Sequence, residues 1–202
     1  SYRGKVVDVA VDIATMAGCP IGCQFCAATV GRYVRPLNAD EILSQFIQIT
    51  EEFNPPAYPK LIAAFQGIGE PSLLATEVTS VSSIIRGLDR RNVISISTTG
   101  AHLEGIYLWR TSKLPISVLQ FSITATTESP QRHIIPRAPQ FTSLFAEIAL
   151  CSAAENIEVV NLNYILLRDV NDSEKHIDYI ADYFSGTRVH VRVASLNTTA
   201  AS

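Results

Sequence analysis

Ile116-Ser117-Val118-Leu119-Gln120-Phe121-Ser122-Ile123 alternates polar and apolar residues from Leu119 onward. Successive side chains of a strand point to opposite faces, so Gln120, Ser122 and the following Thr124 share one face, and Phe121 and Ile123 the other. Three more segments repeat the pattern. Ser95, Ser97 and Thr99 oppose Ile94 and Ile96; Asn161 and Asn163 oppose Leu162 and Tyr164; His190 and Arg192 oppose Val189, Val191 and Val193. Strands covered by helices on both faces read instead as near-continuous apolar runs. One polar face on strand after strand predicts a curved sheet around a wet, ligand-holding cavity.

Strands are expected over 6–13, 61–65, 93–98, 116–123, 157–167 and 189–193, with helical patterns between them. Asn38 is a good N-cap, and Glu41 stands at the capping-box position. The helix it starts carries Ile42, Leu43, Phe46, Ile47 and Ile49, and Pro55-Pro56 ends the segment. Further helices are expected over 77–88, 103–109 and 141–154, and from a cap at Asn171-Asp172-Ser173 to Phe184. A loop is expected where Pro130, Pro136 and Pro139 cluster. Alternating strands and helices indicate βαβ units and a parallel sheet. Six strands are too few for the complete eightfold barrel. The expected fold is α/β, a partial (β/α)6 barrel with a parallel sheet, with residues 1–202 as a single domain. Sites in such sheets lie beyond the carboxyl ends of the strands.

The 202 residues suffice to bury about 70% of the unfolded chain's surface. Charged residues make up only 17%, below the usual quarter or so, which favours strands buried on both faces or a sizeable partner surface. No apolar run reaches the ~18 residues of a membrane span. No targeting segment is visible, and a cytoplasmic location is expected. A net charge of −3 leaves no electrostatic footprint for a nucleic-acid backbone, so nucleic acid is not an expected partner.

The loop after the first strand reads Cys19-Pro20-Ile21-Gly22-Cys23-Gln24-Phe25-Cys26. Three thiols lie close together. His102, His133, His176 and His190 are distant, and the fourth cysteine, Cys151, falls in a helical pattern. A structural zinc site usually has four ligands at short spacing, and a disulfide would leave an odd thiol. Iron–sulfur clusters are held by thiolates, and three ligands on a four-iron cluster leave one iron open. Cys19, Cys23 and Cys26 are therefore the expected metal ligands. Zinc-stabilised scaffold and iron–sulfur electron carrier are the rival readings.

The Cys-x3-Cys-x2-Cys spacing, with Phe25 before the last cysteine, is similar to the signature of radical S-adenosylmethionine (SAM) enzymes. The likeness extends further. Cys23-Gln-Phe-Cys-Ala-Ala-Thr-Val-Gly31, Arg35, Asp40-Glu-Ile-Leu-Ser-Gln45 and Gly67-Ile-Gly-Glu-Pro71 resemble segments of the RlmN/Cfr family of RNA methyltransferases. So do Ser97-Thr-Thr-Gly100, Ser122-Ile-Thr-Ala125, Asn163-Tyr-Ile-Leu-Leu with Asp169-Val-Asn-Asp172, and Ser195-Leu-Asn197. The resemblance implies a 4Fe–4S cluster and SAM as cofactors, reductive cleavage of SAM to a 5′-deoxyadenosyl radical, and hydrogen abstraction from a substrate. It also implies SAM-binding roles. Gly69 and Glu70 would meet the methionine amino group, and Ser97, Ser122 and Thr124 its carboxylate and the ribose. Asn197 would reach the adenine side, and Phe25 would pack by cluster and adenine. An external one-electron donor, flavodoxin- or ferredoxin-like, is implied by the chemistry.

The departures point away from methyl transfer. The family's methyltransferases carry one extra cysteine seven residues before the first cluster cysteine, where this sequence has Asp12, and a second near the C-terminus, beyond this chain. The N-terminal RNA-binding extension has no counterpart here. The expected substrate is a small or mid-sized metabolite, with RNA modification of the RlmN/Cfr type as the alternative. Polar residues with no SAM role in the resemblance are the substrate candidates. Arg192 would clamp a carboxylate or phosphate, with Gln120, Asn161 and Asn163 as hydrogen-bonding neighbours. Asp12 is the candidate acid–base group.

Overall fold

The computed structural model describes residues 9–53 and 60–195. Its main sheet has six parallel strands: β1 (Val9–Asp12), β4 (Leu61–Phe65), β5 (Val93–Thr98), β6 (Ile116–Ile123), β7 (Ile157–Leu166) and β8 (Val189–Ser195), in the order β1-β4-β5-β6-β7-β8. Two two-residue strands, β2 (Met16–Ala17) and β3 (Arg35–Pro36), form an antiparallel ribbon beside it. Helices α1 (Ala39–Phe53), α2 (Ala75–Leu88), α3 (Leu103–Thr111), α4 (Glu128–Ile134), α5 (Phe141–Ala153) and α6 (Glu174–Tyr183) fill the connections. Among the described residues no helix is long and apolar enough to cross a membrane.

The register puts the polar residues on one ladder. Ser97 stands opposite Gln120, Gln120 opposite Asn161, and Asn161 opposite His190; one rung on, Ser122, Asn163 and Arg192 align. The other face carries Ile94, Ile96, Phe121, Ile123, Leu162 and Tyr164, all fully buried under the helices. With them pack Val78, Val81 and Ile85 of α2, Ile106 and Trp109 of α3, and Phe145 and Ile148 of α5. Burying one such aliphatic or aromatic side chain is worth about 1.5–3 kcal/mol, which fixes the strand faces. At ~4.8 Å per strand, a flat sheet would hold β4 and β8, four strands apart, about 19 Å from each other. Yet Gln66, just beyond β4, and Arg192 and Ser195 of the far edge strand line one cavity. The sheet curls into a partial (β/α)6 barrel.

The capping box at α1 forms as expected: the Glu41 amide donates to Asn38 Oδ1 at 2.9 Å, and the Asn38 amide donates to Glu41 Oε2 at 3.0 Å. Arg35 adds two bonds to the same carboxylate at 2.8 and 2.7 Å, tying β3 to the helix start. Other expectations need correction. Of the first strand, β1 covers Val9–Asp12, and residues 6–8 fall outside the described ones, as do Pro55 and Pro56. A 3-10 turn, Pro71–Leu74, precedes α2, and Glu70 caps it by accepting the Ser72 amide. The proline-rich loop contains α4, whose Pro130 lies in the first turn, where the missing amide costs nothing. Asn171 does not cap α6. It is fully buried, accepts the Leu167 amide and donates to the carbonyls of Thr124 and Ile165, stitching the loops after β6 and β7 together.

Candidate functional site

The cysteine loop leaves the end of β1 and lies across the carboxyl end of the sheet. It rests on a second apolar cluster of Ile21, Cys23, Ile134, Ile135 and Ala138, flanked by Cys19, Phe25, Cys26, Ala101 and Leu167. The Gln24 amide donates to the Ile134 carbonyl at 3.0 Å, and Thr29 Oγ1 to the Cys23 carbonyl at 2.7 Å. All four cysteines are free thiols. Burial pushes the Cys23 thiol up to about 12, with Cys19, Cys26 and Glu70 adding to the rise. Burial also raises Cys19, partly offset by the nearby backbone amides of Ile21 and Gly69. Thiols so placed need a cationic partner to become thiolates. Among the described residues no three His, Cys, Asp or Glu side chains surround a single-ion site. Cys151 is apart from them, fully buried in the α5 core, its thiol likewise pushed up to about 12 by burial.

Gly69 comes to the edge of this site. Its φ of +120° is open only to glycine, and a Cβ there would lie 2.3 Å from Thr15 Oγ1. That Thr15 hydroxyl is buried with no hydrogen-bond partner among the described residues. An orphaned donor beside a close-approach glycine next to Cys19 suits an amino-acid headgroup bound to the open iron. Thr15 gave no sequence signal, being one threonine in a loop.

Glu70 behaves differently from the expectation that it pairs with an ammonium. It is 2% exposed, and its carboxylate accepts from the Ser72 amide at 3.0 Å, from the Thr99 amide at 2.9 Å, from Thr99 Oγ1 at 2.7 Å, and from Thr98 Oγ1. Four donors use the roughly four lone-pair sites of a carboxylate. Its charge still reaches Cys19 and Cys23, but its hydrogen bonds are internal.

Beyond the loop opens a cavity of about 640 Å³ lined by Phe25, Cys26, Ala27, Gln66, Gln120, Ser122, Asn163, Ile165 and the β8 residues 192–195. Its volume is in the range of small-molecule sites. Gln120, Ser122, Asn163 and Arg192 stand on its wall as the alternation predicts, joined by Phe25 and Cys26 of the loop; Val193, expected on the opposite face, lines it too because β8 is the exposed edge strand. Ser97 lies behind Gln120, whose Nε2 donates to Ser97 Oγ at 3.0 Å. Arg192 reaches Gln120 Oε1 at 3.5 Å and makes no ion pair among the described residues. Gln66, missed in the sequence, lines the cavity and donates to Asp12 Oδ1 at 2.7 Å.

Like Ser97, the candidates Thr124 and Asn161 are not on this wall. Thr124 is fully buried: β6 ends at Ile123, the chain turns, and the Thr124 amide and hydroxyl both meet Gln131 Oε1 at 3.2 Å. Asn161 is 8% exposed, one rung deeper than Asn163. Asn197 lies outside the described residues.

No protein-family model matches the chain. A curated relative, "Probable dual-specificity RNA methyltransferase RlmN" of Trichodesmium erythraeum (strain IMS101), is 31% identical over 196 residues, covering 93% of this chain and 54% of the relative. A solved radical SAM methyltransferase from Sphaerobacter thermophilus superposes with a TM-score of 0.82 at 24% identity, over 96% of this chain and 57% of the other. Over more than nine-tenths of its length the chain is similar to radical SAM enzymes. Streptococcus suis SuiB, solved bound to S-adenosylmethionine, shares the fold at a TM-score of 0.62 and 12% identity, covering 96% of this chain and 43% of SuiB. Radical SAM enzymes use a 4Fe–4S cluster and SAM, and the three thiols, Gly69 and the orphaned Thr15 hydroxyl fit that pair. The chain spans about half the length of the curated relatives it matches. Their name as RNA methyltransferases runs against the expectation that nucleic acid is not a partner.

Proposed function

We propose that this radical SAM chain carries the catalytic core of an enzyme that abstracts a hydrogen atom from a small or mid-sized anionic substrate. The observation that carries the reading is Arg192, a cation on the cavity wall with no carboxylate partner among the described residues. A guanidinium so placed calls for a carboxylate or phosphate, which it grips bidentately. Asn163 stands directly opposite it in the register, with Ser122 next along the same rung, and both would supply further polar contacts.

Cys19, Cys23 and Cys26 would hold the cluster, and Gly69 with Thr15 the amino-acid end of SAM. Phe25 and Cys26 bring that end of the cavity against the loop. When bound, cluster and SAM supply the 5′-deoxyadenosyl radical that takes the hydrogen. Gln120, braced by Ser97, orients Arg192. Asp12, exposed and held by Gln66, stands at the end of β1 as the acid–base candidate. Reductant comes from an external one-electron donor.

The test is anaerobic reconstitution with iron and sulfide, then SAM, dithionite and a panel of candidate substrates, with 5′-deoxyadenosine quantified. Parent protein should form it, and Cys23→Ala should not. Arg192→Ala should raise the concentration of anionic substrate needed for stimulation at least tenfold. Formation of 5′-deoxyadenosine by Cys23→Ala, or a parent that forms none with any substrate, sinks the proposal.

RNA modification is the second reading, favoured by the relatives' names as RNA methyltransferases. It expects tight RNA binding that weakens steeply with salt. A flat titration at low salt removes it.

A further inference from the structure

The cysteine loop separates two openings. Phe25, Cys26 and Ala27 line the substrate cavity, whereas Gln24, their immediate neighbour, lines a different pocket of about 560 Å³ with His133, Ile134, Leu166, Leu167, Arg168 and Val170. Strand β7 divides the same way: Ile165 faces the cavity and Leu166 the outer pocket. Adjacent strand residues point to opposite faces, so the outer pocket lies on the other side of the sheet's rim.

The charge around the loop differs from that of the chain. Net charge is −3, yet residues 13–39 contain Arg32 and Arg35 and no acid, and residues 129–146 contain Arg132, His133 and Arg137 and no acid. The two stretches meet through the Gln24–Ile134 bond and the packing of Ile21 and Cys23 on Ile134, Ile135 and Ala138. Arg35 is committed to Glu41, but exposed Arg32, Arg137 and Arg168 make no ion pair among the described residues. The acids nearest in sequence to the pocket are Asp169 and Asp172; Asp172 turns one oxygen to the Asp169 amide at 3.1 Å. The floor is apolar, with Leu166, Leu167 and Val170, the last 45% exposed.

We infer that this outer pocket, rimmed by His133 and Arg168, is the docking surface for an acidic one-electron carrier protein. The inference rests on the radical SAM reading above. Electron tunnelling falls off exponentially with distance, and Gln24 directly follows the ligand Cys23, two residues before Cys26, so a carrier seated here stands next to the cluster site. Complementary charge steers such encounters, while an apolar centre with a charged rim is the usual anatomy of an interface. One electron leaves the carrier, oxidised by one, and enters the cluster, reduced by one; no bond in the chain is made or broken. A polyanionic substrate such as RNA needs the cavity on the other side of the loop, so the outer surface suits the carrier better.

The experiment compares reconstituted parent with a His133→Glu/Arg168→Glu double variant in stopped flow. Reduced acidic flavodoxin and, separately, dithionite serve as reductants, with cluster bleaching as the readout. Binding of oxidised flavodoxin is measured by calorimetry. Expected are at least tenfold slower bleaching by flavodoxin, a weaker salt dependence and lost binding, with bleaching by dithionite unchanged. Equal rates with flavodoxin overturn the inference, as does a matching loss with dithionite, which marks a structural defect. Loss of binding to a single-stranded RNA oligomer, with flavodoxin rates unchanged, assigns the surface to a polyanion instead. 5′-Deoxyadenosine formed with dithionite reports on the proposed function independently, so failure of docking and failure of the radical reading are told apart.

Discussion

Thr99 gives both its backbone amide and its hydroxyl to one oxygen of Glu70, Oε2, at 2.9 and 2.7 Å. That pair fastens the loop after β4 to the end of β5, directly behind the cysteine site. Glu70→Gln puts an NH2 group where donors already point and leaves at least one of them unsatisfied, at about 1–3 kcal/mol. An unfolding free energy in urea lowered by that amount is expected, with a smaller loss for Thr99→Val. A Glu70→Gln protein as stable as the parent refutes this role for the carboxylate.

Two helical glycines should respond in opposite directions to alanine. Gly87 in α2 faces open space, so Gly87→Ala should gain about 0.5–1 kcal/mol. Gly105 in α3 has the Ser72 carbonyl oxygen 2.2 Å from where a Cβ would sit. Overpacking there should cost about 1–3 kcal/mol despite the better helix former. Denaturation midpoints that rise for both would show that α3 yields to the added methyl.

Thiol labelling should follow burial. In protein prepared without iron, brief iodoacetamide treatment should modify the half-exposed Cys19 and Cys26 before Cys23 and Cys151, whose thiols burial holds near 12. Peptide mass spectrometry reads the order. Early modification of Cys151 would contradict its fully buried place in α5.

Glu41 is held down to about 2 from 4.5, first by its bonds to Arg35 and then by the Asn38 amide. A depressed carboxyl stabilises above its unfolded value and loses that stabilisation as pH falls through the folded one. The Glu41→Gln variant should therefore melt below the parent at neutral pH by a small, salt-sensitive margin. The margin should close as pH falls from about 4.5 to about 2. A margin constant across that window would assign the effect to the capping geometry alone.

Strand faces were legible because period-two alternation is written in consecutive residues: Gln120, Ser122, Asn163 and Arg192 needed no knowledge of their neighbours. The pattern fails where the strand stops. Thr124 continues the parity of Ser122, but one residue past Ile123 the backbone has turned and the hydroxyl points into the core. Glu70 was legible as part of the site and not as a carboxylate already satisfied, because its partners Thr98 and Thr99 lie nearly thirty residues on. Gln66, Thr15 and Asn171 owe their roles to contacts between loops, which no local pattern encodes. Helix α4 hid behind its own proline, a breaker in a helix interior and harmless in a first turn.

Strand order has a consequence for how the chain is made. Each strand of the main sheet pairs with the one before it in that sheet, from β1 through β8. No early pairing waits for a late segment. During synthesis each new βα unit meets an edge already formed, and loop-closure costs stay those of neighbouring units. The wall can be laid stave by stave as the polypeptide emerges, each new unit covering the growing margin opposite β1.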